Sequence, residues 1–196
     1  MLATLSLCRE KSLGWFELDD FNSQFANKTF SVNDNFDKME FLGRVGKRKI
    51  YYLQVRSHPE WANSLPKNDW IAFTIAHKED EELIPPIVKK CIDKNVSYTC
   101  SSGELADLTE DYFDEEVLWR SIDENEFGNN SILITTAHRD FEEGFWFSSA
   151  VAHDDKFDLN QVVCIDATKR NTKVLLIKLI EKINKGWLPP ESWLSN

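Results

Sequence analysis

No apolar run in this chain approaches the ~20 residues that a membrane helix requires, so a spanning segment is not expected. Cys-x-x-Cys pairs are missing as well. Cys8, Cys91, Cys100 and Cys164 are widely spaced, each inside an apolar segment. They read as reduced core thiols of a cytoplasmic protein rather than a disulfide or zinc framework. Neither Gly-x-x-x-x-Gly-Lys-Ser/Thr nor Gly-x-Gly-x-x-Gly occurs, which removes the common nucleotide loops. The serine-hydrolase elbow Gly-x-Ser-x-Gly is absent too. His58, His77, His138 and His153 share no ligand spacing such as His-x-x-x-His. The acids after Glu104 lack the alternating pattern of a calcium loop. No metal and no cofactor is expected.

Positive charge is also scarce. The 23 Lys and Arg stand against 33 Asp and Glu, a formal net charge of -10. A chain this acidic is a poor ligand for nucleic-acid phosphates. At the N-terminus, Met1–Cys8 is apolar, but it has no basic flank and is too short for a secretion signal. Leu7 is bulky where a lipoprotein cleavage site takes a small residue, so a first core strand over Leu2–Cys8 is expected instead.

What the chain does have is enough apolar material to fold. At 196 residues, 42% hydrophobic and 12% aromatic, it can offset the entropy of ordering, and one domain over 1–196 is expected. Residues 1–68 are irregular, with aromatics from Trp15 to Phe36 set among polar residues, and a short helix is expected near Asp19–Phe25. Met39–Val45 and Lys49–Val55 alternate as two strands about Gly46-Lys47-Arg48, a hairpin signature.

From 69 to 187 a strand-then-helix rhythm sets in. Strands are expected at Asp69–His77, Val96–Cys100, Ser131–Thr136 and Gln161–Asp166. The helix after the first carries Ile84, Ile87, Val88, Cys91 and Ile92 at helical spacing, with Pro85-Pro86 in its first turn. The next, with a break inside it, carries Leu105, Leu108, Tyr112, Trp119 and Ile122 as its apolar stripe. Asp140 caps a helix through Phe141 and Phe145 towards Val151, a stretch whose later part also reads as a strand. Thr168 or Asn171 caps the last helix, Gly186 ends it, and residues 188–196 form a tail. Alternation of this kind means right-handed crossovers. The expected fold is therefore a three-layer α/β sandwich: a mainly parallel central sheet from four C-terminal β/α units, with an antiparallel hairpin at one edge.

Two places could carry function. Open parallel sheets bind ligands beyond the carboxyl ends of their strands. Here those ends bring His77, Ser101, Ser102, Gly103, Thr136, His138 and Asp166 to one rim. Ser101-Ser102-Gly103 before a helix could hold a phosphate through the helix N-terminus, although Glu104 opposes it. His138 with a nearby carboxylate, in Arg139-Asp140, could act as a general base, and Cys100 could be a nucleophile with His77 or His138 across the strand ends. This rim supports an enzyme or a binder of phosphate-containing ligands.

The second place is the acidic helix. Between Glu104 and Glu126 ten acids stand against Arg120 alone, a local charge of -9, while Lys169–Lys185 carries six cations against Glu181. Like charges at i,i+4, such as Asp107 with Asp111 and Glu110 with Asp114, each cost a few tenths of a kcal/mol. A basic protein partner gives that cost a reason, with Asp111, Asp114, Glu115 and Glu116 as the charged contacts and Tyr112 and Trp119 as exposed anchors. An immunity-type protein that neutralises a basic toxin or effector in bacterial competition or defence fits the size, the acidity and the missing catalytic motifs. A non-enzymatic binding role is therefore the leading expectation. Cys100-Ser-Ser-Gly103 after a strand, the acidic segment, and Thr135-Thr136-Ala-His138 after another strand together resemble an uncharacterised bacterial α/β domain family over Asp69–Val151. That resemblance implies the architecture and no activity.

Overall fold

A computed structural model describes residues 39–57, 59–122 and 133–190. The expected strand Leu2–Cys8, the helix near Asp19–Phe25 and residues 191–196 of the expected tail lie outside these residues. Glu40–Val45 (β1) and Arg48–Gln54 (β2) pair antiparallel around a two-residue turn. Trp70–Ile75 (β3) is buried at every residue, as an apolar run covered on both faces must be. There follow Ile84–Asp93 (α1), Tyr98–Ser102 (β4), Ala106–Ile122 (α2), Ile134–His138 (β5), Phe141–Trp146 (α3), Gln161–Asp166 (β6) and Lys173–Asn184 (α4).

Among the described residues, six strands form one sheet in the order β1-β2-β6-β3-β4-β5, parallel everywhere except at β1. Period-two alternation splits its side chains between two cores. Ala72, Ala76, Val163 and Ile165 face α1 and α2, where Ile84, Ile87, Val88, Cys91 and Phe113 close the layer. Ile71, Phe73, Val162 and Cys164 face α3 and α4, where Phe145, Leu176, Leu179 and Ile180 do the same. Each buried Val, Leu, Ile or Phe among them contributes about 1.5–3 kcal/mol by leaving water. This is the three-layer α/β sandwich with an edge hairpin that the hydrophobic pattern predicts, and its four β/α units are β3–α1, β4–α2, β5–α3 and β6–α4.

Several local expectations need correction. β4 and β5 run two residues past the predicted ends, because Ser101 and Ser102 still pair with Ala137 and His138 in the ladder. Ser101 and Ser102 are thus strand residues, and the turn into α2 begins at Gly103. The predicted break in α2 does not occur: no Pro or Gly interrupts Ala106–Ile122, and Arg120 ties its last turns to Glu116 and to Asp93 of α1. Phe145–Val151 is helical, not a strand. α3 continues into a π turn at Phe147–Val151, and the carbonyls of Ser148 within it and of Ala152 just after it accept from the buried Arg48 guanidinium. Asp140 does cap α3, accepting from the Glu143 amide. At α4 the cap position falls on Thr172. Asn171 accepts from the Lys173 amide there, while Thr168 is turned inward to Asp166.

Candidate functional site

β3 feeds α1 on one face and its neighbour β6 feeds α4 on the other, so their carboxyl ends form the switch point where a ligand crevice belongs. That space is filled by the protein itself. Asp166, fully buried, accepts from the Tyr52 hydroxyl at 2.8 Å, the Thr168 amide at 2.8 Å, and the Thr168 and Thr172 hydroxyls at 2.7 Å each. Burial, together with the same carboxylate, pushes the Tyr52 phenol far above its ordinary range. Asp80, also fully buried, meets Arg56 at 2.7 Å and accepts from the His77 amide at 3.0 Å. Arg56 also donates to the Ala167 carbonyl at 2.8 Å. A carboxylate whose lone pairs are taken in this way organises loops and has little left for a ligand. Neither Arg56 nor Asp80 stands out in the sequence, since each lies in a turn of ordinary charged residues.

At the neighbouring end of β4 and β5 the rim is more suggestive. Ser102 is paired with His138, and Cys100 with Thr136, on the face covered by α3. His138 Nδ1 lies 2.8 and 2.9 Å from the two Glu143 carboxylate oxygens, so that nitrogen carries the proton. Its Nε2 lies 3.2 Å from the Thr136 hydroxyl, which is also 3.1 Å from the Thr99 carbonyl. The imidazole packs at a tilt against Phe147 with ring centroids 4.7 Å apart, and Gly144 lets α3 lie close against His138. A Cβ at Gly144 would sit 2.8 Å from the His138 Cβ. The carboxylate beside His138 is therefore Glu143, one turn into α3, while Asp140, the acid next to His138 in the sequence, caps that helix instead.

Cys100 is a fully buried core thiol. Burial pushes it up to about 12, against weaker downward pulls from Thr136 and Arg48, which disfavours the thiolate near neutral pH. Ser101, Ser102, Thr74 and Thr99 are buried with hydroxyls lacking a hydrogen-bond partner. Gly103 has a φ of +99°, and a Cβ there would lie 2.4 Å from the Ala76 carbonyl oxygen. The Glu104 carboxylate accepts from the Lys78 amide at 3.1 Å, at the edge of this turn. The start of α2 is thus tied down by neighbouring backbone rather than opened as a phosphate cradle.

The acidic helix presents a different picture. α2 buries Ala106, Thr109 and Phe113, so the predicted stripe is rotated: Trp119 and Ile122 point to solvent. Asp111, Glu115, Leu118, Trp119 and Ile122 recur at i, i+4, i+7, i+8 and i+11, one exposed face. Leu118, Trp119 and Ile122 are 59%, 66% and 60% exposed. Some of the acidity is compensated: Asp107 pairs with Arg139, and Glu116 with Arg120. Asp114 accepts from the Thr135 hydroxyl at 2.9 Å while remaining exposed. Asp111 and Glu115 have no cation partner among the described residues. Crowding shows at Glu110, whose carboxyl is raised by desolvation and by Asp114, Asp111 and Asp107. Tyr112 is half-buried against the core, unlike the exposed ring expected of an anchor.

Elsewhere, an open groove of about 560 Å³ lies at the amino ends of β3 and β6, lined by Lys67, Asp69, Asp158, Asn160 and Gln161 among others. It sits at the end of the sheet opposite the rim, and Asp158 is engaged by Lys47 at 2.9 Å. Among the described residues no group of His, Cys, Asp and Glu is arranged to hold a metal ion, and no helix is long and apolar enough to cross a membrane.

No curated protein and no solved structure matches the chain. The family model described as Domain of unknown function (DUF7684) matches residues 50–183. That span runs from β2 through α4 and takes in the parallel sheet, the rim and the acidic helix. The chain belongs to the DUF7684 family.

Proposed function

We propose that the domain is a protein-binding module that docks a basic partner on the outer face of α2. The observation that carries this reading is the stripe of Asp111, Glu115, Leu118, Trp119 and Ile122. It joins acids without an ion pair among the described residues to three exposed apolar side chains, among them a Trp of the kind that anchors interfaces. Acids around an apolar centre accelerate encounter with a cationic surface and reject acidic competitors. An immunity-type protein of a bacterial competition or defence system, neutralising a basic toxin or effector in the cytoplasm, is the form of this role that we favour. The test is to capture the partner from source cells, purify it and titrate it calorimetrically. D111N/D114N/E115Q should weaken the complex about 10-fold or more at low salt and flatten its salt dependence. An affinity equal to wild type at every salt concentration defeats the reading.

One observation favours a second reading, an enzyme or phosphate-ligand site at the rim. The Glu143–His138 pair beside the unpartnered Ser102 hydroxyl has the parts of a general base. A thermal-shift screen with nucleotides and sugar phosphates tests it. Stabilisation by one ligand class that disappears in H138A and S102A supports a site there, and a flat screen removes it.

A further inference from the structure

α2 and α4 lie on opposite faces of the sheet, and their exposed stripes complement each other. The α2 stripe is acidic in its first half, at Asp111 and Glu115, and apolar in its second, at Leu118, Trp119 and Ile122. On α4 the order is reversed. Val174 and Leu175, 56% and 42% exposed, come first, and the cations Lys178 and Lys185 follow. Neither lysine has an ion pair among the described residues. Lys173 and Lys182 of the same helix are held by Glu40 and Glu142. Asp111 to Ile122 and Val174 to Lys185 each cover eleven helical steps, about 16 Å.

We propose that the α2 face docks antiparallel on the α4 face of a second copy of this chain. In that orientation Asp111 and Glu115 approach Lys178 and Lys185, and the Leu118–Trp119–Ile122 patch covers Val174 and Leu175. Antiparallel helices also oppose their dipoles favourably. Glu181 is the one acid on the α4 stripe and meets Glu115 as a like charge. Because the two faces point away from each other, the contact is heterologous and does not close on a two-fold axis. Copies add head to tail. The contact area of one helix pair falls well below the roughly 1,200 Å² of stable complexes, and the net charge of -10 opposes it. Association is therefore weak and reversible. The proposal rests on α2 being a docking surface, and it adds that a basic partner must displace α4 of a neighbouring copy.

The experiment is sedimentation velocity of the full chain over a wide concentration range, at about 0.05 M and 0.5 M salt. The weight-average mass should rise above 22.8 kDa with concentration at low salt and return to it at high salt. D111K/E115K and K178E/K185E should each stay monomeric alone, and a one-to-one mixture of them should associate again. Glu181→Lys should tighten wild-type association several-fold, and Trp119→Ala should weaken it. Circular dichroism of each variant confirms folding. A monomer at every concentration in low salt overturns the proposal, as does association that both double variants leave intact. Binding of the basic partner is read separately. K178E/K185E keeps its α2 face and should bind that partner as wild type does, whereas a wild-type chain that is monomeric at low salt yet binds the partner refutes self-association and leaves the docking reading standing.

Discussion

The carboxyl rim of the sheet and the outer face of α2 are both rich in polar groups, yet they spend them in opposite ways. At the rim, Asp166 and Asp80 are fully buried, and their oxygens are taken by Tyr52, Thr168, Thr172, Arg56 and the His77 amide. On α2, Asp111 and Glu115 face water beside exposed Trp119 and Ile122. Charge is tolerated at the first place because the fold completes its hydrogen bonding, and at the second because solvent does. The buried carboxylates of the first have little left for another molecule, whereas the acids of the second keep theirs, so a polar rim is not by itself a site.

The comparison can be broken first at its strongest point. Asp166→Ala strands the Tyr52 and Thr172 hydroxyls in a closed loop cluster. It should cost about 3–5 kcal/mol in urea unfolding. A loss under 1 kcal/mol would mean that water already serves these groups and that the rim is open. Gly103→Ala combines a φ of +99° with the close Ala76 carbonyl and should cost about 2–3 kcal/mol by the same measurement.

Smaller effects sharpen it. Thr99→Val removes a buried hydroxyl without a partner and keeps its shape, so thermal unfolding should be unchanged or stabilised by about 1 kcal/mol. Destabilisation there would reveal an unseen partner beneath α2. Glu110→Gln tests the crowded helix. The native carboxyl is raised, so its contribution is lost as pH rises from the unfolded value near ~4.3 through the folded one, and stays lost at neutral pH. The amide should therefore add a few tenths of a kcal/mol at pH 7 and nothing at about pH 3. Equal gains at both pH values would rule out charge as the cause.

Much of this fold was legible because periodicity reports directly on burial. The all-buried β3 and the i, i+3, i+4 pattern of Ile84, Ile87, Val88 and Cys91 each admit one element type. What could not be read depends on tertiary neighbours. Nothing local to Ser101-Ser102 says that Ala137 and His138 extend the ladder beside them. The rotation of α2 was missed because Thr109 and Ala106 are weak markers of a buried face, whereas Trp119 and Ile122 look like strong ones. For the same reason the strand ends of the rim could be listed, two residues short at β4 and β5, while Arg56 and Asp80, which fill it, carried no signal. Glu143 was within reach of sequence reasoning, five residues after His138, once α3 was known to fold back on β5.

The central claim is that function resides on the outer face of α2 rather than at the rim. Its most direct test is the affinity for the purified basic partner across a salt series, for wild type, D111N/D114N/E115Q and H138A. The account predicts a steep salt dependence that the triple variant loses and H138A retains. Binding that survives the triple variant and collapses with H138A would contradict it and return the site to the strand ends.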